Sequence, residues 1–417
     1  MKSTTVAPSA DFSKLRIIDC DAHFTEPADL WVSRAPSAWK DRVPVQQTRD
    51  GITSWYLEDQ IFAGIGGNTV GVGHEKFRGT YMVQPFELVD HAAWSVKERL
   101  ELLDEMGVYA QVLYPNAMGF SSNHIFAIDD PAQRTAILTT FNDFYLDVQE
   151  ESKGRLFPQG ILPIWDMDLT INEMTRLLDK GMTGFTLSDK PELLGLPELP
   201  EAYFEPMWDL FNESGAAVNF HIGSGKRRED TERRRAKGAG RELEPEENDG
   251  PPTLEPAWNC FPRQRSMATG SVQQIASNIR IIANMCMSDL FDRFPNLNVV
   301  SAESGIGWVP FLLEALEYQY DEMLTEPDAI NFAKRRPREY FKDHIFVMFW
   351  FETSAPRKLL DDIGVNNVLV ETDLPHPTCL YPNTAARLAE TLAGVDAHAV
   401  QRILQDNAAE LYHIALP

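Results

Sequence analysis

Short apolar runs rich in β-branched and aromatic residues alternate along this chain with amphipathic segments of helical period. Apolar runs of about four to eight residues are typical of buried strands, and the amphipathic segments are typical of the helices that cover them. The strand-like runs lie at 17–23, 110–114, 158–163, 184–187, 217–221, 298–303, 345–350 and 367–373. The helix-like segments lie at 96–106, 131–152, 168–180, 203–214, 307–323 and 356–363. Eight strands alternating with helices predict an α/β fold, a (β/α)8 TIM barrel rather than an open doubly wound sheet.

Two segments interrupt this alternation. Residues 27–90, rich in glycine and aromatic residues, are expected to form an excursion after the first strand. Residues 223–255 follow the fifth strand, carry clusters of both charges and have almost no apolar residues, so they cannot form core. A solvated loop is the simpler interpretation of 223–255, and a lid over the active site is the alternative. The predicted organisation is an N-terminal tail at 1–14 and one barrel domain at 15–417.

Composition and net charge limit the kinds of partner and function that this protein can have. The chain has 417 residues, of which 43% are hydrophobic and 24% charged, as expected for a globular protein. Its net charge of −24 argues against nucleic acid and anionic membrane surfaces as partners, because both would repel it. No signal peptide or membrane span is apparent, and the four cysteines lack CxxC spacing, so a cytoplasmic location is expected. No glycine-rich phosphate loop opens a helix, which argues against dinucleotide binding. A small-molecule substrate remains the expected partner.

Acidic residues and histidines follow several of the predicted strands at their carboxyl ends. Asp21 and His23 lie two residues apart on the first strand, where they would share a face, and Cys20 would point away. His221, Glu303 and Asp373 end the fifth, sixth and eighth strands. Each has an ordinary alternative, since His221 could be a core histidine and Asp373 could cap a turn. Because catalytic residues of (β/α)8 enzymes gather at this end of the barrel, the set predicts one divalent metal ion, with Zn²⁺ or Mn²⁺ favoured.

Five stretches resemble the amidohydrolase superfamily, in the branch that includes aminocarboxymuconate-semialdehyde decarboxylase and the γ-resorcylate-type decarboxylases. They lie at 18–27, 220–223, 290–297, 371–376 and 406–412, so the resemblance spans nearly the whole chain. It implies a mononuclear metal site with Asp21, His23, His221 and Asp373 as ligands, and it makes Asp373 the proton-transfer group. His376 is then expected to orient a ligand or the loop after the eighth strand. A homodimer or homotetramer is the assembly that the resemblance implies.

The chain departs from the family pattern at two acidic positions. Glu303 occupies the position where the family commonly has a histidine that assists proton transfer. Glu371 stands where related chains often have glycine, and strict alternation would place it on the same face as Asp373. The predicted pocket is therefore richer in carboxylates than that of a typical decarboxylase of this branch.

Three functions are compatible with these residues. The first hypothesis is a metal-dependent hydrolase, in which an activated water attacks a carbonyl of a small cyclic or aromatic substrate, with Asp373, Glu303 and His376 as catalytic residues. The alternative is non-oxidative decarboxylation of a hydroxyaromatic or related carboxylic acid. Glu303 counts against it by weakening attraction for an anion, although Arg227 or Arg228 could restore that attraction. A non-catalytic metal-stabilised barrel is the third. Trp165, Trp308 and Arg227 are the predicted substrate-binding residues.

Overall fold

The computed structural model describes residues 11–79, 82–225, 258 and 260–417. Arg227, Arg228 and most of the loop predicted at 223–255 lie outside these residues. The described strands are β1 Ile18–Phe24, β2 Val45–Arg49, β3 Ile52–Leu57, β4 Gln60–Gly64, β5 Val70–Gly71, β6 Glu75–Lys76, β7 Ala110–Pro115, β8 Leu156–Pro158, β9 Gly160–Ile161, β10 Gly184–Thr186, β11 Ala217–His221, β12 Asn298–Ala302, β13 Ile345–Phe349 and β14 Val368–Val370.

The strands predicted from the apolar runs form two parallel sheets. One has the order β1-β7-β8, and the other has the order β14-β13-β12-β11-β10-β9. Only Gln159 separates β8 from β9, so one predicted strand is present as two short pieces. On the other side, the sheets approach each other through a parallel bridge between Ala22 and Leu374. The order and parallel direction agree with the predicted α/β architecture.

Helices follow the parallel strands and bury their apolar faces against them. The helices of eight residues or more are Val96–Met106, Pro131–Glu151, Met167–Asp179, Glu205–Ser214, Arg263–Ile275, Asn278–Met287, Val309–Met323, Pro337–His344 and Thr384–Thr391. Asp130 and Asp166 cap two of them by accepting backbone N–H bonds, which satisfies donors that the first helical turn leaves free. None of the helices within the described ranges has the length and apolar character that a membrane crossing requires.

The segment after β1 contains its own small sheets. Strands β2, β3 and β4 form an antiparallel sheet, and β5 pairs with β6. Trp31 and Trp55, both fully buried, meet edge to face with ring centroids 4.8 Å apart and anchor this region. Thr69 donates its hydroxyl to the carbonyl of Pro375, which ties the segment to the loop after β14.

Strand β1 contains a bulge just before its carboxyl end. Asp19 pairs with Gln111 and Ala22 with Leu113, so β1 takes three steps where β7 takes two. Strict alternation breaks at a bulge. Cys20 consequently packs in an apolar cluster with alternate residues of the other parallel strands, whereas Ala22 belongs to the cluster beneath the helices. The predicted separation of Cys20 from Asp21 was therefore wrong.

The C-terminal segment closes the far end of that cluster. Tyr412 is fully buried, and its hydroxyl donates to Asn219 Oδ1 at 2.7 Å, as does the hydroxyl of Tyr114 at 2.9 Å. The aromatic ring of Tyr412 therefore contributes packing. Its hydroxyl contributes one hydrogen bond, and Asn219 Oδ1 would still accept the bond from Tyr114 if the Tyr412 hydroxyl were removed.

We expect Tyr412→Ala to lower the free energy of unfolding by about 3 to 5 kcal/mol, because it leaves a cavity. Tyr412→Phe should cost only about 1 kcal/mol, because it removes one hydrogen bond and retains the ring. Urea unfolding followed by circular dichroism measures both changes. Leu416→Ala, at a residue 38% exposed, is the control and should stay within about 0.5 kcal/mol of the parent. Equal losses in the alanine and phenylalanine variants would contradict the packing role.

Candidate metal centre

The carboxyl ends of three parallel strands bring the predicted metal-binding residues to one point. Asp21 and His23 come from β1, His221 ends β11, and Asp373 follows β14 by three residues. Nε2 of His221 lies 3.3 Å from Asp21 Oδ2, and Nε2 of His23 lies 3.5 Å from Asp21 Oδ1 and 3.6 Å from Asp373 Oδ1. Atoms that share a metal at about 2.1 Å lie roughly 3.0 to 3.4 Å apart. One observed separation falls in this range and the other two exceed it by only 0.1 to 0.2 Å, so the atoms converge closely enough to surround one divalent cation.

Glu303 joins the cluster from the sixth predicted strand. Its Oε2 lies 3.3 Å from Nε2 of His221. Ligand atoms of His23, Glu303, Asp373 and His376 form one group within 4.8 Å of one another, and those of Asp21, His23 and His221 form a second. The structure thus brings together all six predicted metal and catalytic residues.

Left-handed backbone conformations direct two of these carboxylates toward the cluster. Glu303 has φ of 54° and Asp373 has φ of 58°, which are rare for residues other than glycine. Strands β12 and β14 end at Ala302 and Val370, so neither acid extends its strand as the sequence predicted. Asp373 is held by its backbone N–H, which donates to Asp21 O at 2.8 Å. Such backbone conformations are concentrated at functional sites.

Backbone carbonyls orient both histidines. Nδ1 of His23 lies 3.1 Å from the carbonyl of Pro115, and Nδ1 of His221 lies 2.8 Å from that of Ile222. A carbonyl can only accept, so each Nδ1 carries the hydrogen and donates it. Each Nε2 then presents its lone pair to the cluster, which is the tautomer that a metal requires.

The ligand atoms are buried without hydrogen-bond partners. Both Oδ atoms of Asp21, Nε2 of His23 and Nε2 of His221 have none in the structure, and Oδ1 of Asp373 has only its ion-pair contact with His376 Nδ1. Burying polar atoms unpaired is costly, and these atoms all face one another. A bound divalent cation removes that cost, and the donor set of imidazole nitrogens and carboxylate oxygens suits Zn²⁺ or Mn²⁺.

Burial and mutual repulsion disfavour the ionised carboxyls. Burial raises the pKa of Asp21, although the neighbouring His221 opposes this rise. Burial, together with the charges of Asp373 and Asp21, raises the pKa of Glu303 well above its usual range. Burial also lowers the pKa of His23, and nearby histidines add to the effect. A cation would reverse these directions by favouring carboxylates and neutral imidazoles.

His376 connects the cluster to the segment after β7. Its Nδ1 lies 2.9 Å from Asp373 Oδ1, its Nε2 lies 3.2 Å from Asn116 Oδ1, and its ring stacks on His23 at 3.8 Å between centroids. Asn116 donates its amide N–H to Thr25 Oγ1, which fixes the amide oxygen toward His376. The orienting role expected of His376 stays a prediction.

One edge of the cluster is open. The side chains of Glu303 and His376 are 15% and 12% exposed, whereas those of Asp21, His23 and His221 are fully buried. The half-buried Phe120 lies against His221 with ring centroids 3.9 Å apart. An acid, an imidazole and an aromatic ring therefore border the side from which a substrate can approach.

A match to a family model identifies the family of this chain. The family model for amidohydrolases matches residues 18–414, which is nearly the whole chain. The chain belongs to the amidohydrolase family. It is accordingly a metal-dependent enzyme of the amidohydrolase superfamily, as the resemblance predicted. A comparison with curated proteins gives no match.

Several solved structures share the fold of this amidohydrolase. An amidohydrolase of Mycobacterium avium subsp. paratuberculosis K-10 has a TM-score of 0.66 and 20% identity, over 96% of this chain and 99% of that one. A 2,6-dihydroxybenzoate decarboxylase of Rhizobium has a TM-score of 0.56 and 18% identity, over 96% and 99%. A 5-carboxyvanillate decarboxylase of Novosphingobium aromaticivorans DSM 12444, complexed with manganese, has a TM-score of 0.58 and 16% identity, over 99% and 100%.

The aromatic residues predicted to bind substrate have other contacts in this amidohydrolase. Trp165 is half-buried and packs edge to face against Phe126, with ring centroids 5.5 Å apart. Trp308 is half-buried, and its indole N–H donates to the carbonyl of Ser304 at 2.8 Å. Neither residue has a described contact with the metal cluster, so their substrate role stays a prediction.

Glu371 lies beneath the cluster rather than beside Asp373 on a strand face. It is fully buried, and its Oε2 accepts the backbone N–H of Glu303 at 3.1 Å, while Oε1 has no partner. The strand has already ended at Val370, so alternation does not relate Glu371 to Asp373. Glu371 therefore supports the strained backbone at Glu303.

Two contributors to the amidohydrolase site were missed from the sequence. Asn116 follows β7, so the rule that barrel sites form at strand ends could have found it. Asp19 accepts hydrogen bonds from Gln111 of β7 and from Thr372 just after β14, and burial raises its pKa to about 7. For Asp19, the only indication in the sequence of a role at the site is its spacing of two residues from Asp21.

Proposed function

We propose that the protein is a metal-dependent non-oxidative decarboxylase, a carboxy-lyase that acts on a hydroxyaromatic or related carboxylic acid. The observation that carries the proposal is the convergence at one point of buried ligand atoms from Asp21, His23, His221 and Asp373, of which those of Asp21, His23 and His221 have no hydrogen-bond partner. Hydrolysis is the first of the hypotheses drawn from the sequence. The decarboxylases among the similar structures favour the alternative instead, because they combine this fold with carboxylated phenols as substrates.

Asp21, His23, His221 and Asp373 would hold one divalent ion. Manganese is favoured over zinc by its presence in the 5-carboxyvanillate decarboxylase. When bound, the ion would attract the substrate carboxylate and an adjacent oxygen and would offset their negative charge. The side of the cluster between Glu303 and His376 is the one open to the substrate.

Asp373 is the proposed proton donor. Its Oδ1 lies 2.9 Å from His376, and its Oδ2 accepts a hydrogen bond from Thr378 Oγ1 at 3.1 Å. The bond between the ring carbon and the carboxylate carbon breaks, CO₂ leaves, and the bonding electrons stay on the ring carbon. The proton from Asp373 then forms the new C–H bond, and the partly exposed His376 returns a proton to Asp373.

Phe120 and Glu303 would determine which rings are accepted. Phe120 offers an aromatic surface beside His221, against which a planar ring can pack. Glu303 replaces the family histidine with an acid, so it would accept a hydrogen bond from a ring hydroxyl. The proposal therefore favours a phenolic acid over an unsubstituted benzoate.

A substrate panel tests the reaction. We expect protein reconstituted with Mn²⁺ to release CO₂ from at least one phenolic acid among 2,6-dihydroxybenzoate, 2,4-dihydroxybenzoate and 5-carboxyvanillate. In D₂O, the product should carry one deuterium at the carbon that lost the carboxylate. Protein lacking metal and the Asp373→Asn variant are the matched controls.

Hydrolysis is the second candidate, because Glu303 gives the site an additional acid that could assist a leaving group. The same protein would then be tested with cyclic amides and lactones in water labelled with ¹⁸O. Incorporation of the label into the product, without release of CO₂ from any phenolic acid, would contradict the decarboxylase proposal and support hydrolysis.

A further inference from the structure

A buried polar chain lies behind the two carboxylates that would bind the metal. Asp19 is fully buried on the helix-facing side of β1, and all four of its hydrogen-bond donors are neutral. Oδ1 accepts the backbone N–H of Thr372 at 2.7 Å and that of Asp21 at 3.3 Å. Oδ2 accepts the hydroxyl of Thr372 at 2.5 Å and the side-chain amide of Gln111 at 2.7 Å.

These bonds join the two segments that carry acidic ligands. One Asp19 oxygen binds the backbone of Asp21 itself and that of Thr372, the residue before Asp373. The contact spans 353 positions of sequence, and it lies at the bulge where β1 changes the face that its side chains occupy. This carboxyl group therefore acts together with the direct bond from Asp373 N–H to Asp21 O in fixing the position of Asp21 relative to Asp373.

Gln111 and Arg99 extend the chain to a third ligand. Gln111 Oε1 accepts Arg99 Nη1 at 2.9 Å, so the amide of Gln111 must point its N–H toward Asp19. Arg99 is fully buried, and its Nη2 donates to the backbone carbonyl of His23 at 2.9 Å. The chain thus contacts the backbone at or next to three of the four proposed ligands.

We propose that Asp19 is a positioning residue, which holds the β1 bulge and the end of β14 in the spacing that the metal requires. Outer groups that orient metal ligands commonly change metal affinity without touching the ion. The inference rests on the proposed ligand set and not on the proposed reaction. Metal affinity is therefore its readout, and failure to find a decarboxylation substrate would leave it untouched.

Asp19→Asn tests the proposal with a change of one atom. The new side-chain amide N–H of residue 19 would face the side-chain N–H of Gln111. If the Gln111 amide rotated by half a turn, its N–H would instead face the guanidinium N–H of Arg99. Either arrangement leaves two donors facing each other. We expect Mn²⁺ affinity, measured on metal-free protein by competition with a fluorescent chelator, to fall by about 10- to 100-fold.

A second substitution should rescue the first. In Asp19→Asn combined with Gln111→Glu, the new amide donates to the new carboxylate, which also accepts from Arg99, and the total charge equals that of the parent. We expect the double variant to recover most of the lost Mn²⁺ affinity. A folded Asp19→Asn variant with affinity within twofold of the parent, or a double variant no better than the single one, would overturn the proposal.

Two further variants separate positioning from general stability. Asn407→Ala removes a buried side chain that donates to Val365 O and Val368 O at the opposite end of β14, and its Mn²⁺ affinity should match the parent's. An equal loss of affinity in Asn407→Ala would overturn the proposal. If Asp19→Asn does not fold, Thr372→Val decides, because it removes the hydroxyl that donates to Asp19, together with one long 3.3 Å bond from Leu374 N–H, and an affinity loss of about threefold or more is expected.

Discussion

Asp373→Asn is expected to lower turnover by about a thousandfold or more. Oδ1 of Asp373 faces both His23 Nε2 and His376 Nδ1, so the same atom serves the metal centre and the proton path. Asparagine keeps the shape but cannot deliver a proton as a carboxylic acid does. General acid–base catalysis alone contributes about 10² to 10⁴ in rate, and a weakened metal site adds to the loss.

The measurement is kcat on the best phenolic acid of the panel, with metal content determined for each sample. Asp90→Asn is the matched control, because Asp90 is also a buried aspartate, 4% exposed, but its oxygens accept Ala92 N–H, as the cap of a helical turn, and His74 N–H, and neither bond involves a proposed ligand. Asparagine caps as well as aspartate, so this control should retain activity within about twofold. Full turnover by metal-loaded Asp373→Asn would remove Asp373 from the catalytic assignment.

Removing the metal is expected to abolish activity and to destabilise the fold. Without a cation, the ligand atoms of Asp21, His23 and His221 stay buried and unpaired. Metal at 100 to 1,000 times its dissociation constant should stabilise the folded state by about 2.7 to 4.1 kcal/mol. Chelator-treated protein should therefore unfold at lower temperature, and added Mn²⁺ should restore both the melting temperature and turnover.

His221→Ala is the control for a specific effect of the metal. It removes one proposed ligand, so added Mn²⁺ should raise its melting temperature much less than that of the parent. Metal-free protein that keeps full activity, with absence of metal confirmed by elemental analysis, would contradict a metal-dependent mechanism. An equal Mn²⁺ response in His221→Ala would instead show that the ion binds elsewhere.

The barrel-like architecture and the ligand set could be predicted from the sequence because their signals are local. Apolar runs gave the strands, and helix boundaries such as 96–106 agree with the observed Val96–Met106. Polar residues at strand ends gave Asp21, His23, His221 and Asp373, since parallel strands bring their carboxyl ends to one edge. The preference for hydrolysis depended on a single position, because it used only the charge of Glu303.

Other features of the site depend on contacts between residues distant along the chain. No local pattern shows that β1 bulges after Asp19, so strict alternation misplaced Cys20. The left-handed conformations of Glu303 and Asp373 likewise depend on partners from other strands, such as Asp21 O for Asp373 N–H. Asn116 gained a role only when the segment after β7 was placed beside Thr25 and His376.

The sequence by itself determined which side chains could bind a metal and at which end of the strands they lie. Periodicity and residue type are enough for that, because they act within single strands and helices. Only the tertiary structure decided how those side chains are aimed, which of their atoms are left unpaired, and what holds them there. The physical reason is that aim and burial depend on hydrogen bonds such as that between Asp19 and Thr372, which exist only after the strands have packed together.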